Sequence, residues 1–230
     1  NLSNLDPLRL EFGTRPAAMD NMIPREILAQ VVTGQTVGLA AEELGAVALA
    51  LLTGEGAPRN PLVARPILAQ LVEAGDTAAA LALARHDAQT DPAAAYAMAL
   101  RAAAGSETGA LGLLDRLEPQ LGLGQVLALQ DAALAPVETA ADVASVDGFR
   151  DRARGYLLGL GRPRHYGRAL YWASLGAAAF DPECQSILAE LDHIAGASDA
   201  KDQAAWALVA RDAAQAALND WINDRVQDRL

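Results

Sequence analysis

Residues 48–84 of this chain align with residues 153–189 without a gap at an offset of 105, and eleven of the 37 positions are identical. Alanine inflates such a count, so the rarer residues carry the weight. Gly54, Gly56, Pro58 and Arg59 of "GEGAPRN" match Gly159, Gly161, Pro163 and Arg164 of "GLGRPRH", and Asp76 then matches Asp181. The offset equals three units of about 35 residues, a period at which helix pairs repeat. A unit of that size cannot bury its apolar face alone, so neighbours must stack on it and the ends need caps. A helical repeat is the reading that follows.

Composition agrees with helices. The apolar fraction is 52% and much of it is alanine, while aromatic residues make up only 4%. Alanine has the highest helix propensity, and period-two runs of β-branched residues are missing. The pattern predicts helices over 24–33, 37–53, 62–74, 77–88, 92–104, 107–117, 122–134, 140–159, 166–179, 183–195 and 200–227. Asp6-Pro7, Asp91-Pro92 and Asp181-Pro182 read as helix starts, with Asp76-Thr77 as a start without Pro. Gly34, Gly75, Gly105 and Gly161 sit where the periodic patterns lapse, as glycines at helix ends do. Short connections favour antiparallel neighbours. Residues 1–22 are expected to run as an extended arm, and 23–230 as one domain with its best candidate break at Ala135–Val137.

On the second helix of the later unit, Ala169, Trp172, Ala173, Gly176, Ala177 and Phe180 form one stripe, which predicts that Trp172 and Phe180 fill the space between helices. The residues of this unit resemble the Sel1-like repeat, a relative of the tetratricopeptide family. Its pattern is a Tyr before a G-x-G turn, then an Ala followed at helical spacing by Trp, closing near Gly-Asp. The later unit offers Tyr156, Gly159, Gly161, Ala169, Trp172, Ala177 and Asp181. The earlier one offers Leu51, Gly54, Gly56, Ala64, Ala74, Gly75 and Asp76. It departs at Leu51 for Tyr and Ile67 for Trp, and the later unit departs at Gly176 for Ala and Phe180 for Gly. The likeness covers 36–76 and 141–189, with degenerate repeats over 77–140 and a C-terminal cap over 183–230. It implies an all-α, right-handed α-solenoid of antiparallel helix pairs that holds a protein or peptide on its concave face. It also implies a bacterial, extracytoplasmic setting.

Charge narrows the partners. Eighteen basic residues against 29 acidic ones give a formal charge of −11, which disfavours binding to phosphate backbones, so no nucleic acid is expected. No stretch reaches the ~18–20 apolar residues of a membrane span. The first residue, Asn1, suggests a removed leader and a periplasmic location, with the cytoplasm as the alternative. The Gly159-x-Gly161 turn follows a helix and lacks a third glycine, so it is a turn rather than a nucleotide loop. His86, His165 and His193 are far apart and lack metal-ligand spacing. Cys184 stands alone in an apolar helical context, as a small buried hydrophobe does. No cofactor and no catalytic set is expected, so an enzyme is disfavoured, an envelope hydrolase included.

Arg162, Arg164 and Arg168 form the densest positive patch. Arg59 and Arg164 recur in both units, which favours a structural use such as bonding the preceding helix end. Arg162 and Arg168 do not recur and, with His165 and Tyr166, are candidate partner contacts. His165 itself reads as a solvated loop residue. At the other end, Leu218, Ile222, Val226 and Leu230 repeat every four residues. Trp221, Ile222 and Val226 are contact candidates if this helix docks on another chain as a subunit of a larger complex, envelope or membrane-associated complexes included; otherwise the helix caps the last repeat.

Overall fold

The computed structural model describes residues 23–36, 38–133 and 145–227. The arm expected over 1–22, the break at Ala135–Val137 and the start of the helix expected from 140 lie outside the described residues. The described chain is all-helical: α1 (Arg25–Val32), α2 (Ala41–Thr53), α3 (Pro61–Glu73), α4 (Thr77–Asp87), α5 (Pro92–Ala104), α6 (Ala110–Leu117), α7 (Leu123–Ala132), α8 (Val146–Leu158), α9 (Tyr166–Ala178), α10 (Pro182–Gly196) and α11 (Ala200–Gln227). A short 3-10 turn, Glu118–Gln120, follows α6. Among the described residues no helix is long and apolar enough to cross a membrane. Two compact units are present, one ending at Ala64 and one beginning at Arg65. In the first, α1 packs on α2; in the second, α4 packs on α5, α5 on α6 and α7, α8 on α9, and α10 on both α8 and α9.

The 105-residue repeat is present in the backbone. Helix α2 and helix α8 are each 13 residues long and lie 105 positions apart at both ends, as do α3 and α9. The first helices of successive pairs begin at Ala41, Thr77, Ala110, Val146 and Pro182, in steps of 36, 33, 36 and 36 residues. The turns agree atom for atom. The Gly54 and Gly159 amides each close their helix on a carbonyl at 2.8 Å, in the left-handed region at φ 87 and 75. Asn60 N–H donates to Leu51 O at 2.7 Å, and His165 N–H to Tyr156 O at 2.8 Å. The exits agree as well: Asp76 N–H reaches Leu71 O at 2.9 Å and Asp181 N–H reaches Gly176 O at 3.0 Å.

Aspartates start the helices where the sequence places them. Asp76 accepts from Ala79 N–H at 2.9 Å, Asp91 from Ala94 N–H at 3.0 Å and Asp181 from Cys184 N–H at 2.8 Å. Each satisfies an amide that the first turn leaves without a partner. The Arg150 hydrogen bond, followed by the Cys184 amide, holds the Asp181 carboxyl down to about 2. Gly105 and Gly161 depart from expectation. Gly159, not Gly161, caps α8, and after α5 it is Ser106 that turns left-handed. Gly105 instead gives closeness, because a Cβ there would collide with Thr77.

The Trp172 stripe faces the interior of the second unit. Trp172 is fully buried, with Phe149 stacked at 6.0 Å and Tyr171 edge-on at 4.9 Å between centroids. The Arg152 guanidinium lies 5.4 Å from its ring centre. Gly176 lets α10 approach α9 so closely that a Cβ would overlap the Cys184 sulfur. Cys184 is buried, and that burial is the main cause pushing its thiol up to about 12. Phe180 corrects the expected stripe: it is 87% exposed, because it occupies the left-handed exit at φ 62 that Gly75 fills in the earlier unit. Its side chain is thereby turned away from the face it would have extended.

Two substitutions in one unit are therefore expected to act with opposite signs. Trp172→Ala should cost about 3–5 kcal/mol by removing a buried ring. Phe180→Gly should stabilise by up to about 1 kcal/mol, since glycine enters the left-handed region without the Cβ penalty. Urea unfolding of both variants measures the pair.

Candidate functional site

The entrance to α9 carries the residues that the sequence offers as partner contacts, and the structure turns half of them inward. His165 and Tyr166 are buried. The Tyr166 N–H donates to Gln130 Oε1 at 2.8 Å, which fixes the orientation of that amide, and Gln130 Nε2 donates to Tyr96 Oη at 3.0 Å. The Tyr96 hydroxyl donates to Glu118 Oε1 at 2.8 Å, and the Tyr166 hydroxyl to Glu118 Oε2 at 2.7 Å, closing a ring. Arg164 joins it with 2.9 Å to Glu118 and 2.8 Å to Asp115. The ring thus ties the start of α9 to α5, to the end of α6 and to α7. Burial first, and the Glu118 charge second, push both phenols above the usual tyrosine range. They stay protonated and donate.

His165 is a helix cap rather than a solvated loop residue. Its Nδ1 accepts from Arg168 N–H at 3.1 Å, so in this state Nδ1 is unprotonated and Nε2 carries the hydrogen. Nε2 lies 3.0 Å from Asp131 Oδ1, out of line for a hydrogen bond. Burial, opposed by Asp131 and assisted by Arg168, lowers the His165 pKa. Arg162 and Arg168 remain half-buried, with their guanidinium groups 5.0 Å and 5.8 Å from the ring centres of Tyr156 and Tyr171. The two recurring arginines divide their work. Arg59 Nε donates to Leu52 O at 3.3 Å, at the end of the preceding helix, whereas Arg164 reaches the carboxylates of the α6 region.

Helix α11 lies against α9 and α7 and only lightly against α10. Asp202 accepts the amides of Leu123 and Gly124 at 2.7 and 3.0 Å, where the positive end of α7 favours a carboxylate. The Tyr171 hydroxyl donates to Asp220, and Trp206 and Ala217 are buried. Gly122 and Gly124 admit this approach, since a Cβ on Gly122 would stand 2.7 Å from the Asp202 carboxylate. The inner face of α11 is therefore a cap over the second helices α7 and α9. Its outer face leaves Leu208, Leu218 and Ile222 exposed, the last two at 50% and 45%. Trp221 is half-buried, and the Val226 side chain lies outside the described ones.

Two adjoining hollows lie along α3 and α5. One of about 400 Å³ is lined by Arg65, Pro66, Ala69, Val72 and Glu73 of α3, Leu83 and Asp87 of α4, and Ala94 and Met98 of α5. The other, about 240 Å³, runs past Asp76, Leu100 and Ala104 to Ala133 and Pro163. Val72 belongs to both, and an ion pair between Arg101 and Glu73 at 2.9 Å joins their rims. Arg65 pairs with the buried carboxylate of Asp87. The linings are mainly apolar, so the chemistry available is the burial of apolar side chains of another molecule. Among the described residues no group of three or more His, Cys, Asp or Glu is placed to hold a metal ion. No protein-family model matches the chain, and no curated protein matches its sequence.

Tyr96, Glu118, Gln130 and Asp202 were not singled out by the sequence. One signal was readable: Leu123, Val126, Leu127 and Gln130 fall on one helical stripe, so the amide occupies a core position. A polar residue on a core stripe demands buried partners.

Two outcomes are expected. Gln130→Leu should cost about 1–3 kcal/mol, because it strands the buried Tyr166 amide and removes the donor to the Tyr96 hydroxyl oxygen; chemical denaturation measures it. Stability should also rise with pH across the histidine range. The folded His165 binds protons less readily than the unfolded one, so its contribution is complete above the unfolded value of about 6.5 and is lost as pH falls below it. Asn at 165 can cap without titrating, so melts of His165→Asn between about pH 5 and 7.5 should lose that part of the slope.

Proposed function

We propose that this protein is a non-enzymatic helical-repeat scaffold of the Sel1-like type, and that it works by holding a protein or peptide segment. The observation that carries the reading is the pair of apolar hollows sharing Val72, placed along second helices of successive repeats and left unfilled by the described residues. Repeats of this kind present the same helix face over and over, which creates an extended surface without any catalytic group. The arrangement expected is a right-handed solenoid whose concave face receives the segment. The formal charge of −11 favours a partner that is basic overall.

A second reading has its own observation. Leu208, Leu218 and Ile222 on the outer face of α11 are exposed together, which favours docking as an accessory subunit of a larger complex. The two readings use opposite surfaces and can be separated. A photo-crosslinking side chain placed at Ala69, in the larger hollow, should capture one discrete protein in extracts of the native organism, and the same group at Glu190 should not. Capture from neither position, or equal capture from both, contradicts the scaffold reading. Loss of a native complex in Leu218→Glu with Ile222→Glu, at unchanged capture through Ala69, places the subunit contact on α11.

A further inference from the structure

At 100° per residue, Gly167, Tyr171, Ser174 and Ala178 occupy the face of α9 opposite the Ala169–Trp172–Gly176 stripe. Helix α11 covers that outer face at Gly167 and Tyr171, while Ser174 is half-buried and Ala178 exposed. A Cβ on Gly167 would lie 3.0 Å from Val209 Cγ1, Tyr171 bonds Asp220, and both Gly167 and Tyr171 are buried. Helix α3 is the counterpart of α9 at an offset of 105. Its Pro66, Ala69 and Glu73 stand in the places of Tyr171, Ser174 and Ala178, and all three are exposed. The 400 Å³ hollow opens beside them, with Leu83, Ala94 and Met98 on its other walls. Among the described residues, the first half of this face is thus closed by a helix in the later copy and open in the earlier one.

We infer that the outer face of α3 is a docking site for an amphipathic α-helix of a partner protein, laid against α3 and α5 as α11 is laid against α9 and α7. The inference rests on the scaffold reading and deepens it by stating what the hollow holds. The occupant is a helix because the equivalent face takes one. It is not a second α11 held in the same way, because Pro66 has no hydroxyl to meet an acid such as Asp220. The helix presents an apolar side chain at that point, and the hollow takes one of its large apolar residues. Its solvent face is basic, since a chain of net charge −11 repels another copy of itself and attracts a cationic surface.

The probe is a fluorescein-labelled peptide of about 18 residues, five helical turns, with Leu at i, i+4 and i+7 and Lys on the polar face. A second peptide has the same composition with two central prolines. Anisotropy titration uses the full chain at about 0.15 M salt, where non-contacting charges are largely screened. The helical peptide should bind saturably, and the proline peptide at least tenfold more weakly. Ala69→Arg changes an exposed position and should melt as the parent does, Pro66→Lys removes a proline from inside α3 and should melt no lower, and each should weaken the helical peptide tenfold or more. If one variant fails to fold, the other carries the test. Absence of saturable binding, equal affinity in both variants, or equal binding of the proline peptide overturns the inference. A dimer in light scattering that Ala69→Arg abolishes also overturns it, because a second copy then occupies the face. Capture of a native partner that neither substitution weakens overturns this docking site and leaves the scaffold reading standing. Peptide binding that depends on Ala69, with no native partner captured, supports the docking face and contradicts the scaffold reading.

Discussion

A carboxylate with only 19% of its side chain exposed must be met by donors, and Glu118 is met by three: the Tyr96 and Tyr166 hydroxyls and the Arg164 guanidinium. One donor comes from α5 and two from the entrance of α9, so the charge can be satisfied only when α5, the end of α6 and that entrance are all in place. Gln130 closes the ring from α7 by accepting the Tyr166 amide and donating to Tyr96. Such a network is a specifier as much as a stabiliser: fully satisfied it admits one arrangement, and partly satisfied it is worse than an apolar core. Once α9 is fixed at its entrance, the Trp172 stripe is aimed at α8, Gly176 at α10, and Tyr171 at α11. Much of the second unit is built outward from that one end of a helix.

The repeat explains why the network sits there. In the earlier copy the position of Tyr166 is Pro61, which has no N–H to satisfy and starts a helix without help. In the later copy an aromatic residue takes that place and brings a buried amide and a buried hydroxyl with it, and Gln130 and Glu118 answer both. Two sequences that fold into the same 13-residue helices thus reach them by different means, one by removing a donor and the other by pairing it.

Periodicity and capping chemistry are local, and they were legible. The 105-residue offset, the aspartate starts at 76, 91 and 181 and the glycine turns at 54 and 159 all depend on residues within a few positions of one another. What depended on partners distant in sequence was not. His165 read as a solvated loop residue and Tyr166 as a candidate contact, and both are buried; the partners of Tyr166, Gln130 and Glu118, lie 36 and 48 residues away in the chain. Phe180 read as the last member of an apolar stripe, but the helix ends at Ala178 and the backbone turns left-handed at Phe180 itself. The long C-terminal helix was legible as a helix. That its inner face would lie on α7 and α9 depended on Asp202 meeting amides 79 and 78 positions earlier. The open hollow along α3 is likewise a property of three helices together.

The most direct test of this dependence is native-state hydrogen exchange at the Tyr166 amide. An amide in the first turn of a helix has no intrahelical acceptor and ordinarily exchanges quickly. The ring requires the Tyr166 amide to exchange as slowly as the core amides of α9, and to become fast in Gln130→Leu while the centre of the helix stays protected. Rapid exchange at Tyr166 in the unaltered chain would contradict the ring and, with it, the anchoring of α9 on which the rest of the second unit is built.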